Sequence, residues 1–348
     1  MPEMWFAIVA VMLAAYVVLD GFDFGAGALH LLVAKSDRER RQVLAAVGPF
    51  WDGNEVWLLA TGGALFVAFP RVLASGLSGF YFAIFLVLWM LIVRGISIEF
   101  RSHVDHPLWR AAWDTAFASA STLLPVLFGA ALGNLVRGLP LDAEGWFSLP
   151  LFTNFTAKTP VGILDWYTVF AGLFALTVLG GHGATFLLWK SDGPVQERSR
   201  RAARRLYGAV VVLWPLLTVA TWLVNAAMLA ALPRRPLAWL SLLLAVGGLI
   251  AVGLGLRGDR PLRAFLGSCA FVAGMLAATA ASVFPVMLRS IGDESLSLTV
   301  YNASVPAASL ATAFRWWAIG LPLAVAYLVI LFRLHRGKVV VPQGREGY

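Results

Sequence analysis

Six acids and two arginines stand inside or at the edges of otherwise apolar runs, where an ionised group is expensive. Asp20 and Asp23 lie three residues apart in "DGFDFGAG", directly after the uncharged run Trp5–Val18. Asp52, Asn54 and Glu55 occur together in "PFWDGNEVWL", Arg94, Glu99 and Arg101 in "LIVRGISIEFR", and Asp114 in "AAWDTAF". Residues at i and i+3 share a helix face, so Asp20 with Asp23, and Asp52 with Glu55, each make a two-carboxyl surface. A charge at the bilayer centre costs at least about 2.5–3.5 kcal/mol even on the lenient insertion scale. Such groups therefore face the bundle interior, pair with one another and mark ion or proton routes. Arg94 is the natural cation for one of these carboxyls. The structural alternative is plain. Asp52 and Asp114 open their predicted helices, where an acid can cap amides and complement the dipole. An Asp–Arg pair can simply lock helices together, and Gly21 to Gly25 is the G-x-x-x-G spacing that lets membrane helices pack closely.

The elements that must position these groups are membrane helices. Of the 348 residues, 59% are hydrophobic and 13% charged, against about 25% charged in a soluble globule. Mean hydropathy is +0.78, and the apolar runs have the length of about 20 residues needed to cross a bilayer core. Nine spans are predicted, at roughly 5–34, 50–70, 73–99, 114–136, 160–189, 206–231, 237–256, 263–288 and 307–333. They form a single membrane domain, all helical, because backbone groups in lipid must be satisfied within the segment. The start, "MPEMWFAIVAVML", has no basic n-region or small-residue cleavage site, and reads as a retained helix.

Loop charge sets the orientation. Twenty of the 27 Lys and Arg fall on one set of loops and six on the other, with Arg315 at the start of the last helix. The positive-inside rule then places the N-terminus outside and the C-terminus in the cytoplasm, and many of the fourteen Trp lie near span ends, as an interfacial belt requires. On this frame the buried acids all lie in the cytoplasmic half, which suits proton uptake from that side. The net charge of +8 does not indicate a nucleic-acid partner, since the basic residues sit in short loops with no interleaved basic-aromatic face.

Redox groups of the chain's own are not expected. Cys269 is the only cysteine, so disulfides and thiolate metal sites are excluded. Buried haem needs axial ligands such as His or Met. Only His182 lies well inside a span, beside glycines in "LGGHGATF", with no second histidine to face it. No nucleotide loop and no metal-spaced His/Cys pair occurs.

These residues resemble a known family, subunit II of the cytochrome bd-type quinol oxidases. The likeness is carried by "DGFDFGAG", then by "DRERRQVLAAVGPFWDGNEVWLLATGGALFVAFP", "LSGFYFAI", the "EFR" that ends the third span, "WRAAWD" and "GNLVRGLP". "HGATFLLWK" and "SVFPVMLRS" before "YNAS" continue it. It covers essentially the whole chain and is most specific over residues 20–140. The segment "TPVGILDWYTVFAG" departs from the family pattern, lacking an Asn-Pro-Phe-like element.

The resemblance implies two four-helix bundles plus one peripheral helix, paired with a haem-bearing subunit I of similar fold. That partner would carry haems b, b595 and d and the quinol site. The complex would sit in the bacterial cytoplasmic membrane, oxidise quinol, reduce O2 to water and take its protons from the cytoplasm. Subunit II would hold no haem and no metal, though some members hold a structural quinone, and a small single-helix subunit can join. By the same resemblance, Asp23, Asp52 and Arg94 match positions of the proton route and buried pairing. Asn54 and Trp51 belong to the same W-D-G-N motif, and Asp114 matches the acid that opens the fourth helix. Trp57 falls where an oxygen route passes near the subunit interface, with aromatic packing as its alternative. Glu55 and Glu99 are lesser candidates, since an acid near a helix end can be solvated. Asp23 is expected to carry proton traffic and Asp20 to be a structural partner. A secondary transporter with an intramembrane acid cluster is the alternative of another class, but the acids lie on one side and no inverted repeat is evident.

Overall fold

A computed structural model describes residues 1–339 and 341, so Arg345, counted with the basic loops, lies outside the described residues. Among the described residues twelve α-helices follow one another: α1 Pro2–Val33, α2 Asp37–Val47, α3 Trp51–Ala68, α4 Pro70–Gly79, α5 Tyr81–Phe100 and α6 Pro107–Arg137. After a long connection come α7 Trp166–Lys190, α8 Gly193–Val224, α9 Ala226–Ala230, α10 Pro236–Arg257, α11 Pro261–Val283 and α12 Ala307–Leu334. Between α11 and α12 two short strands, β1 Val286–Leu288 and β2 Leu298–Thr299, pair antiparallel. Among the described residues, eight helices are long and apolar enough to cross a bilayer: α1, α5, α6, α7, α8, α10, α11 and α12. The predicted second span is present as α3, about 27 Å long at 1.5 Å per residue. It is not among the eight because Asp52, Asn54 and Glu55 dilute its apolar content.

Helix ends follow local chemistry that hydropathy does not register. Pro at the first helical position pre-sets φ where no amide partner exists, and it opens α6, α10 and α11. The α6 start at Pro107 thus precedes the predicted span by seven residues. Asp114 stands two turns inside the helix, not at its cap. Similarly, α8 begins at Gly193 and carries the polar stretch through Arg205 before its apolar half. The predicted span 73–99 is two helices, α4 and α5, with Phe80 out of helical geometry between them. The polar loop after α1 holds a helix the hydropathy reading missed, α2, nucleated by a reciprocal capping box between Ser36 and Glu39. Burial pushes the Glu39 carboxyl up, but the Lys35 and Ser36 amides and the Arg198 guanidinium outweigh it and hold it below the usual range.

α1 is the central element, packing on α3, α6, α7 and α11. α5 lies against α6, α8 against α7, α10 against α11, and α12 rests on α3 and α1. The α1–α7 crossing is the tightest: a Cβ on Gly25 would overlap the Leu179 carbonyl oxygen, and one on Gly183 would overlap the Gly25 backbone. The G-x-x-x-G of α1 therefore does its packing against α7. Beside this crossing the Phe22 ring stacks on Phe186 at 4.1 Å, and Phe50 stacks on Phe332 at 4.7 Å, which brings the end of α12 onto the core. Lys190 at the end of α7 donates to the carbonyls of His335 and Gly337, closing the same corner.

Gly183→Ala is expected to destabilise the protein by about 1–3 kcal/mol through overpacking, measured by denaturant unfolding in detergent. Gly62→Ala, at a position where a Cβ meets nothing within 4 Å, is the control and should leave stability unchanged or raised.

Candidate functional site: buried ion networks

The acids and arginines singled out above fall into two separate networks, with some members in neither. In the first, Arg94 of α5 is fully buried and donates to Asp20 of α1 at 2.7 Å and to Glu55 of α3 at 2.6 Å. The Phe24 ring lies 4.6 Å from the guanidinium carbon. Asn54, in the first turn of α3, donates through Nδ2 to Asp23 at 2.8 Å and to the Leu19 carbonyl at 3.0 Å. Asp20 and Asp23 share one face of α1, as their spacing requires, yet they receive different partners. Asp20 takes half of a guanidinium, and Asp23 takes only a neutral amide. Several buried atoms here have no hydrogen-bond partner: Tyr16 OH, Asp20 Oδ2, Asp23 Oδ1, Asn54 Oδ1 and Arg94 Nε. Native interiors satisfy the great majority of such atoms, with ordered water where protein does not reach, so these five are positions at which water would complete the pairing.

The second network is built on Asp114 of α6. It accepts from His30 Nε2 at 2.7 Å, from Arg101 Nε at 2.6 Å and Nη2 at 3.1 Å, and from Arg40 Nη1 at 2.9 Å. Arg101 also reaches Asp37 of α2 at 2.9 Å. One carboxylate thus ties α1, α2, α6 and the end of α5 together. A carboxylate only accepts, so His30 Nε2 is the protonated nitrogen.

Asp52 does not join Asp23. It is exposed on the surface of α3 and makes no hydrogen bond or ion pair among the described residues. The 100° step between helix residues explains this, since Asn54 and Asp52 cannot both face α1. Asp52 instead lines an open groove of about 1110 Å³ between α1, α3 and α12, together with Trp57, Trp5, Trp316 and Tyr327. Trp57 is buried at the floor of that groove. Trp51 is half-buried and lies over Gly95, whose missing side chain leaves room for the ring. Glu99 is exposed at the end of α5, where its carbonyl accepts from His103 Nδ1 at 2.8 Å.

At the opposite end of the helices a further buried pair escaped the sequence reading. Arg137, at the end of α6, pairs with Asp165, the N-cap of α7, and also donates to Asn134 Oδ1 at 2.7 Å and to the Gly162 carbonyl at 3.0 Å. The signal was present in the i, i+3 spacing of Asn134 and Arg137 and in the capping box that Asp165 forms with Thr168. Both nitrogens of His182 are occupied: Nε2 donates to the Val18 carbonyl at 2.9 Å and Nδ1 accepts from Ser268 at 2.6 Å. His182 therefore fits a packing role and not axial ligation. Among the described residues no cluster of three or more His, Cys, Asp or Glu could hold a metal ion.

Comparison with known proteins bears on this arrangement. The family model for cytochrome bd terminal oxidase subunit II matches residues 1–335. The cytochrome bd-I ubiquinol oxidase subunit 2 of Escherichia coli K12 is 31% identical over 353 residues, covering 93% of this chain and 91% of that protein. The cytochrome bd ubiquinol oxidase subunit 2 of Bacillus subtilis is 36% identical over 210 residues, 60% of each chain. In fold, the chain is similar to a chain of the bd oxidase structure from Geobacillus thermodenitrificans, with a TM-score of 0.74, 19% identity and coverage of 96% and 98%.

Removing the shared cation tests the energetics of the first network. Arg94→Gln should cost about 3–5 kcal/mol of unfolding stability, because it leaves buried carboxyls uncompensated. Adding Asp20→Asn to it should recover part of that loss, a non-additivity measured by a double-mutant cycle of denaturant unfolding.

Proposed function

This chain belongs to the cytochrome bd terminal oxidase subunit II family, and from that premise we propose that it is the haem-free subunit of a respiratory quinol:O2 oxidoreductase, active in complex with a haem-bearing subunit I. The partner carries haems b, b595 and d and the quinol site, and a small single-helix subunit is compatible with the assembly. A haem would relay the electrons of the quinol and supply the oxygen-binding site. His182 does not fit that group, since both its ring nitrogens are engaged. α1, α3, α5 and α6 make one four-helix bundle in this reading, α7, α8, α10 and α11 a second, and α12 is peripheral. In this reading the N-terminus is outside and the C-terminus in the cytoplasm of a bacterium, which the charge bias of the loops supports.

The first network is the proton-handling part of this chain. The observation that carries the reading is the contrast between Asp20 and Asp23. Each keeps one oxygen without a partner, but Asp20 is held by Arg94, while Asp23 is buried with no cation of its own among the described residues. A proton can be added to or taken from Asp23 without breaking an ion pair. Asn54 holds Asp23 in place by a donor that is indifferent to charge. Asp52, on the outer wall of α3, is the group through which a proton passes between the surface of this chain and the partner. Tyr16 and the unpartnered oxygens around Asp20 supply hydrogen-bonding positions for water between them. Protons come from the cytoplasmic side, where Glu99 and the Asp114 network lie. The Asp114 network holds helices and is not part of the path. The groove floored by Trp57 is the oxygen route along the subunit interface.

A separate cavity of about 440 Å³, walled by α1, α6, α9, α11 and the β1–β2 loop, fits a structural quinone. Phe6, Leu132, Leu276 and Met287 make its apolar sides, and Asn225, Arg235 and Arg289 its polar edge. That combination suits a ring with two carbonyls and an isoprenoid tail.

In the purified complex, Asp23→Asn should lower quinol oxidase turnover by tenfold or more while the haem spectra stay intact. Asp52→Asn should do the same, and Asp114→Asn should instead reduce the amount of assembled complex. Unchanged turnover in Asp23→Asn with full haem content would remove the relay.

A further inference from the structure

The hairpin of α10 and α11 carries an open apolar furrow of about 660 Å³ on its outer side. The two helices meet backbone to backbone: a Cβ on Gly248 would overlap the Phe271 amide nitrogen, and one on Gly267 would lie 2.7 Å from the Val252 nitrogen. This closeness leaves a channel between the ridges of Leu243 and Leu244 on one side and Leu262 and Leu266 on the other, all four exposed. At Gly247, on the channel floor, a Cβ would meet nothing within 4 Å. The channel follows α11 from Arg260 to Ala270, about 15 Å at 1.5 Å per residue, which is the depth of one leaflet of a hydrocarbon core about 30 Å thick.

One end of the furrow is basic. Arg260 and Arg263 line it, both exposed, and neither side chain has an ion pair or hydrogen bond among the described residues. Arg257, in the same connection, is likewise exposed. The single acid of the connection, Asp259, is taken by Arg200 of α8. No side chain caps the start of α11, so its first amides add to the positive end. The geometry points to a binding site for an anionic phospholipid, with an acyl chain in the furrow and the phosphate against Arg260 and Arg263. The length matches one leaflet, the walls match a hydrocarbon chain, and the two guanidiniums without partners match a phosphate in charge and in hydrogen-bond geometry. A zwitterionic lipid would fill the same channel but leave the excess positive charge uncompensated.

The test uses the full-length protein in the assembly it forms, freed of bulk lipid and supplied with phosphatidylglycerol or phosphatidylcholine, with bound lipid counted by native mass spectrometry. The wild type should retain phosphatidylglycerol at least fivefold more than phosphatidylcholine. Arg260→Gln with Arg263→Gln should abolish that preference, and Arg260→Lys with Arg263→Lys should keep most of it, which separates headgroup charge from misfolding. Gly247→Leu, at a position where a Cβ meets nothing within 4 Å, puts a side chain into the channel and should exclude one phosphatidylglycerol. Equal retention of the two lipids by the wild type would overturn the site. So would a preference that survives Gly247→Leu, because attraction to the basic loops alone would then explain it. A crosslink from Leu243→Cys to another subunit would overturn it as well, giving the furrow to a protein helix.

Discussion

A guanidinium with no exposed surface, placed in the interior of a membrane protein, dictates much of what surrounds it. Arg94 can be tolerated there only if carboxylates approach it, and they must come from other helices. Asp20 supplies one from α1 and Glu55 another from α3, at 2.7 and 2.6 Å. Three helices are thereby held at one depth and one rotation. Rotating α3 to bring Asp52 inward would carry Asn54 away from Asp23, and with it the only hydrogen bond that carboxyl receives from a side chain among the described residues. The exclusion of Asp52 from the cluster is a consequence of the same constraint.

The three buried networks divide along the length of the helices. Asp114 gathers His30, Arg40 and Arg101 at one end, and Arg137 gathers Asp165 and Asn134 at the other. Among the described residues the Arg137 network is fully paired, and the Asp114 network leaves His30 Nδ1 and Arg40 Nε without a partner while its carboxylate accepts four hydrogen bonds. The Arg94 network lies between them and has more unpartnered polar atoms than either among the described residues. Full satisfaction rigidifies, and partial satisfaction leaves room for water and for a change of protonation. The networks thus differ in how fully their polar atoms are paired, and the proposed proton-handling role rests on that difference of degree.

Glycine acts on the other side of the design. At the α1–α7 crossing it lets two central helices touch, which draws His182 against Val18 and consumes the one histidine that sits well inside a predicted span. On the α10–α11 hairpin the same closeness opens a furrow toward the lipid. A single packing device thus produces a sealed core in one place and a receptive surface in another. The difference lies in whether large side chains surround it, as Phe22, Phe186 and Phe265 do at the core.

The sequence by itself determined the class of the protein, its candidate acids and most of its helices. Apolar length is a local property, and the cost of charge in lipid selects the same residues wherever the chain folds. It also carried the family likeness, borne out by the match across residues 1–335. It did not disclose α2, whose helicity rests on a capping box instead of hydropathy, nor the break at Phe80. Tertiary structure alone decided the pairings: that Arg94 takes Glu55 and not Glu99, that Asp114 belongs with His30, and that Asp52 faces outward. Those outcomes depend on the rotation and crossing of whole helices, set by contacts dozens of residues apart, and helix rotation leaves no mark on the order of residues along the chain.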